Sequence, residues 1–107
     1  MLVHVEDFSE YRQLDCAHGF STKIGDCYRS GIPFFLYGPA SIPCIQFGLD
    51  LCPEYTAASP EELKTKLEAI LAGKAPYMPD ENVVRDCFDA DVVGKRIAET
   101  IQACKAR

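Results

Sequence analysis

The chain has 107 residues, a net charge of −5 at pH 7 and an apolar fraction of 48%. That length suits one domain able to bury roughly two-thirds of its unfolded surface, and the composition excludes wholesale disorder. The acidic balance, with no basic stripe carrying interleaved aromatics, excludes a broad electrostatic contact with nucleic acid.

In chain order, Leu2-Val3-His4-Val5 is a short strand-forming run, followed at once by Glu6 and Asp7. Residues 6–19 are polar and irregular, anchored only by Phe8, Tyr11 and Leu14. A loop that long is uncommon in a compact domain unless it carries function. A helix is predicted over residues 21–30. Ser21 or Thr22 supplies its cap, and Ile24, Cys27 and Tyr28 form its apolar face. Gly31 occupies the position of a terminating glycine, and Pro33 prevents continuation. Phe34-Phe35-Leu36-Tyr37 is then a buried strand, with residues 33–37 as its bounds, turned by Gly38-Pro39.

Residues 40–47 read as a second short helix that buries Ile42, Ile45 and Phe47 and ends at Gly48. Residues 49–55 are a weaker strand, broken by Asp50 and Pro53. The clearest helix starts at Ser59-Pro60-Glu61-Glu62, where a cap, a first-turn proline and a glutamate form a capping box. Its stripe is Leu63, Leu67, Ile70 and Leu71, and Gly73 ends it. After a turn-rich stretch over 74–79, the pattern is helical from Asp80, with Val83, Val84, Cys87 and Phe88 on one face. A fresh cap at Asp89-Ala90-Asp91 precedes a last stripe of Val92, Val93, Ile97, Ala98, Ile101 and Cys104. The order strand, loop, helix, strand, helix, strand, helix, helix predicts an α/β fold: a small parallel sheet flanked by helices.

Six cysteines stand at positions 16, 27, 44, 52, 87 and 104, and no two are separated by only two residues. The common zinc and redox spacings are therefore absent. Cys27, Cys44, Cys87 and Cys104 fall at apolar positions of predicted elements, where free thiols act as small hydrophobes in a reducing cytosol. The first fifteen residues carry four acidic side chains and no signal-peptide core, and nothing approaches the ~20 apolar residues of a membrane span. The expectation is a cytoplasmic protein without an integral membrane segment.

In a unit of this kind, ligands collect at the carboxyl ends of the strands and the amino ends of the helices. The loop before Ser21 and the helix start after it are therefore the candidate site. Phe20-Ser21-Thr22-Lys23-Ile24-Gly25-Asp26, followed by Tyr28-Arg29-Ser30-Gly31-Ile32-Pro33, resembles the donor-loop helix and exit of GT-B glycosyltransferases. Leu2-Val3-His4-Val5-Glu6 resembles the strand and acidic turn those enzymes place before the loop. Tyr37-Gly38-Pro39, the helix from Ser59 and the closing helices also fit, so the similarity covers almost the whole chain. The family includes many capsule and cell-wall polysaccharide enzymes.

The resemblance implies a partial Rossmann-like unit, the nucleotide-sugar-binding part of a GT-B carboxyl-terminal domain. In the family two acidic residues eight positions apart flank the loop, the first meeting sugar hydroxyls and the second the nucleotide ribose. His18 and Asp26 occupy those positions here, with histidine where the family carries glutamate. The binding set it implies is His18, Gly19, Phe20, Ser21, Thr22, Lys23 and Asp26. Backbone amides from 20–23 and the Lys23 charge would face the diphosphate. No catalytic residue, metal or cofactor is assigned. The acceptor domain and the upstream basic residues that neutralise a leaving diphosphate are missing, so residues 1–107 are expected to be a domain fragment without activity of its own. The expected partners are a nucleotide-diphosphate sugar and an amino-terminal acceptor domain. The alternative function is a non-catalytic α/β module that self-associates or pairs through an exposed sheet edge.

Overall fold

The structure, a computed structural model, describes residues 1–9 and 22–105. Three parallel strands, β1 (Leu2–Val5), β2 (Phe34–Tyr37) and β3 (Thr56–Ala57), form one sheet in the order β1-β2-β3. Leu2 pairs with Phe34 and Val5 with Tyr37, while Leu36 pairs with Thr56. Five α-helices are described: α1 (Thr22–Arg29), α2 (Pro43–Leu51), α3 (Pro60–Leu71), α4 (Glu81–Phe88) and α5 (Ala90–Lys105). The fold is thus α/β with a small parallel sheet, as its alternation of elements predicts.

Two successive crossovers that step the same way and share one hand place both connecting helices on one face of the sheet. Phe34 and Leu36 accordingly bury against Ile24 and Tyr28 of α1 and Ile45 of α2, with Val84 of α4 joining them. The chain then passes to the other face. There Phe35 packs with Cys52, Tyr55 and Ala57, and Leu63, Leu67 and Ile70 of α3 close over them. β2 is consequently enclosed on both sides, which is why its sequence is an unbroken apolar run.

Several local expectations hold. Gly31 adopts a φ of +76° just beyond α1, the left-handed conformation that ends a helix cheaply only with glycine. Ser59 accepts a hydrogen bond from the Glu62 amide at 3.2 Å, and Glu62 Oε2 accepts from the Ala58 amide at 2.9 Å. The return bond reaches one residue further back than in a standard capping box.

Other expectations are corrected. The second helix runs from Pro43 to Leu51, so Gly48 lies inside it rather than at its end. Its role is proximity: a Cβ there would stand 2.7 Å from both Leu36 Cδ1 and Thr56 Oγ1. Bare backbone lets α2 lie down on the sheet. Residues 49–55 are not a strand; α2 continues to Leu51, Pro53–Tyr55 is a 3-10 turn, and β3 is the two residues after it. Thr56 is fully buried there, and its hydroxyl donates to the Cys52 carbonyl at 3.1 Å. Leu71 is exposed, and the last apolar stripe is covered only at its start: Val92 and Val93 are half-buried, while Ile97 and Ile101 are exposed among the described residues. Cys87 and Cys104 are exposed too, whereas Cys44 and Cys52 are the buried thiols.

Candidate functional site

α1 follows β1 and precedes β2, so its amino end lies at the carboxyl edge of the sheet and its carboxyl end at the amino edge. Of the expected site residues, His18, Gly19, Phe20 and Ser21 lie outside the described residues. Thr22 begins α1. Lys23 and Asp26 are both exposed and form no hydrogen bond or ion pair with another described residue. Ile24 and Tyr28 anchor the opposite side of the helix in the core, so the 3.6-residue period turns Asp26 towards solvent. Gly25 is the contact point with α4, where a Cβ would meet the Phe88 ring at 2.7 Å. The helix is thereby pinned along its inner side while its charged residues stay open.

The same edge holds a group that sequence reasoning left out. The Glu6 amide donates to the Tyr37 carbonyl at 2.9 Å, extending the β1–β2 ladder by one residue. His4 and Glu6, two residues apart, share a face of the strand, and His4 Nε2 donates to Glu6 Oε1 at 2.8 Å. Cys44, in the first turn of α2, donates its thiol to the same oxygen at 3.6 Å. The amino end of α2 has no side-chain cap, so a carboxylate beside it complements the helix dipole. Gly38 permits this approach, since a Cβ there would stand 2.7 Å from Glu6 Cβ. The side chains of His4 and Glu6 keep 23% and 19% of their surface open. The alternation His4-x-Glu6 at a strand end was the signal available in the sequence.

Burial pushes the Cys44 thiol up to about 12, with the Glu6 charge adding to the effect. It stays protonated at neutral pH, a hydrogen-bond donor rather than a nucleophile. Among the described residues no group of three His, Cys, Asp or Glu side chains is arranged to hold a metal ion.

A cavity of about 370 Å³ lies at the opposite, amino edge, between the end of α1 and α4. Tyr28 and Tyr77 line it together with Arg29, Arg85, Glu81 and Asp89. Two cations face two anions, so the lining selects no net charge. Burial raises the Tyr28 and Tyr77 hydroxyls, the latter to about 12, so neither titrates at neutral pH. Tyr28 itself is a core residue, edge-on to Phe34 at 4.9 Å.

No helix among the described residues is long and apolar enough to cross a membrane. Comparison with protein-family models, with curated proteins and with solved structures returns no match.

Proposed function

We propose that this chain is the nucleotide-sugar-binding part of a GT-B-type glycosyltransferase, transferring a hexosyl group to a saccharide or lipid-linked acceptor when joined to an acceptor domain. The observation that carries the reading is the placement of α1. Its amino end stands at the carboxyl edge of a parallel sheet, with Lys23 and Asp26 exposed on it and committed to no other described group. That edge is where α/β sheets bind their ligands. The helix tip and Lys23 suit a diphosphate, and Asp26, one turn in, suits paired ribose hydroxyls. The described residues of the site offer binding groups; on this reading the catalytic groups belong to the acceptor domain. The setting would be cytoplasmic polysaccharide synthesis.

Isothermal titration of the chain with uridine and guanosine diphosphate hexoses tests the reading. Binding is expected, weakened about tenfold or more by Asp26→Asn through loss of charge-assisted hydrogen bonds, and less by Lys23→Ala. Absence of binding by every nucleotide sugar would overturn it.

A second reading, an interaction module, draws on one specific observation: Val3 and Val5 of β1 are each 60% exposed on the sheet face that α3 covers at β2. Such a module would associate through that face, and sedimentation at increasing concentration would show it. A strictly monomeric chain would remove self-association.

A further inference from the structure

The cavity of about 370 Å³ at the amino edge of the sheet has no part in the nucleotide-sugar reading, yet it has the size of a small-molecule site. Two of its walls are the carboxyl end of α1 and α4, and these helices are held together where Gly25 admits the Phe88 ring. Tyr28 and Val84 are buried, so the lining joins apolar surface to charge.

The charges are ordered. Glu81, Arg85 and Asp89 follow one another at four-residue intervals along α4 and its end, about 6 Å apart, with alternating sign. Neighbours of that kind normally pair on a helix surface. Here they do not. Arg85 Nη2 donates to Asn82 Oδ1 at 3.1 Å and its Nε lies 3.8 Å from Asp86 Oδ1. Asp89 caps α5 through Oδ1 alone, accepting from the Asp91 and Val92 amides at 3.0 and 3.2 Å. Glu81, and Arg29 on α1, have no hydrogen bond or ion pair among the described residues. One more group is unmet. The Tyr77 hydroxyl is buried and makes no hydrogen bond with a described residue, although the Phe34 amide lies close enough to favour its ionised form. A buried donor without an acceptor is costly, and a carboxylate oxygen is the strongest acceptor a ligand brings. Opposite charges that line one cavity without meeting suit a ligand that carries both. A ligand of one sign would meet a like charge for each opposite one.

We propose that this cavity binds an α-amino acid with an apolar side chain. Arg29 and Arg85 take its carboxylate, Glu81 and Asp89 its ammonium, and Val84, Pro79 and the tyrosine rings its side chain. The ammonium and carboxylate of such a ligand are closer together than one helical turn, so each reaches a partner of opposite sign from one position.

Amide chemical-shift titration of the full chain with L-phenylalanine and L-leucine, and with 2-phenylethylamine and 3-phenylpropanoate, tests the proposal. Both amino acids are expected to move Gly31, Tyr77, Val84 and Arg85. The amine and the acid each lack one charged group and are expected to bind about tenfold more weakly than L-phenylalanine, or worse. Arg29→Gln and Glu81→Gln alter exposed, unpaired side chains, so they leave the melting curve in place and weaken L-phenylalanine severalfold each. Tyr77→Phe deletes the unmet hydroxyl and is expected to leave the fold at least as stable while weakening the amino acid. Failure of both amino acids to move the cavity amides would overturn the proposal. So would binding of the amine or the acid as tight as that of L-phenylalanine, or unchanged affinity in all three variants. None of these results depends on nucleotide-sugar binding.

Discussion

β1 and β2 are equal in length, lie side by side in register and are both built mainly from apolar residues, but their surroundings differ sharply. β2 carries Phe34 and Leu36 into one core and Phe35 into another, and all three are almost fully buried. In β1, Leu2 joins the first core while Val3 and Val5 look out on the second face, where no described helix reaches them. Phe8 lies with its ring 5.0 Å from that of Tyr37, the partner of Val5 in the ladder. The contrast separates two meanings of an apolar residue in a strand: one reports burial already achieved, the other a surface that the described residues leave open. α5 repeats the second case, with Ile97 and Ile101 more than half exposed on a helix that packs chiefly on α4.

The largest test of the contrast is a pair of substitutions. Phe35→Ala is expected to destabilise the chain by about 3–5 kcal/mol, through lost burial and a cavity between sheet and α3. Val5→Thr, on the same face of the sheet two residues beyond Val3, the partner of Phe35, is expected to stay within about 0.5 kcal/mol. Urea unfolding of both variants checks this; a large loss at Val5 would mean that its face is covered.

pH sharpens the same comparison, because the buried titratable groups lie around β2. Cys44 rises from an ordinary 9.0 to about 12 and Tyr77 from 10.0 to about 12, in each case chiefly by burial. Both folded values lie above the unfolded ones, so the fold keeps protons that the unfolded chain releases. Their contribution is whole below about pH 9 and declines as pH rises towards 12. Unfolding midpoints measured at pH 7, 9 and 10.5 should therefore fall only over the upper interval. A smaller effect is expected at the cover of β2: Ser59→Ala removes the bond to the Glu62 amide and should cost about 1 kcal/mol.

Much of this architecture is legible in the residues alone, where one local rule acts without competition. Phe34-Phe35-Leu36 marks a doubly covered strand, Gly31 ends α1, and Ser59-Pro60 starts α3. The misreadings occur where tertiary contact decides. Gly48 looks like a stop but serves as a seat for α2 on Leu36 and Thr56. β3 is too short for periodicity and exists because Thr56 and Ala57 complete the ladder of β2. Cys87 and the α5 stripe follow helical spacing, yet spacing says which side is apolar and not whether anything lies against it. At the candidate site, the structure leaves Lys23 and Asp26 exposed, and the His4-x-Glu6 alternation gains its meaning when Cys44, 38 residues away, meets Glu6.

The central claim is that the nucleotide sugar binds at the carboxyl edge of the sheet and not in the cavity at its amino edge. Amide chemical-shift mapping of the whole chain with a saturating nucleotide sugar tests it most directly. The account predicts shifts concentrated in residues 18–26, at Glu6 and at the start of α2 around Cys44. Shifts confined to Gly31, Tyr77, Val84 and Arg85, around the cavity, would contradict it, as would a spectrum that does not move.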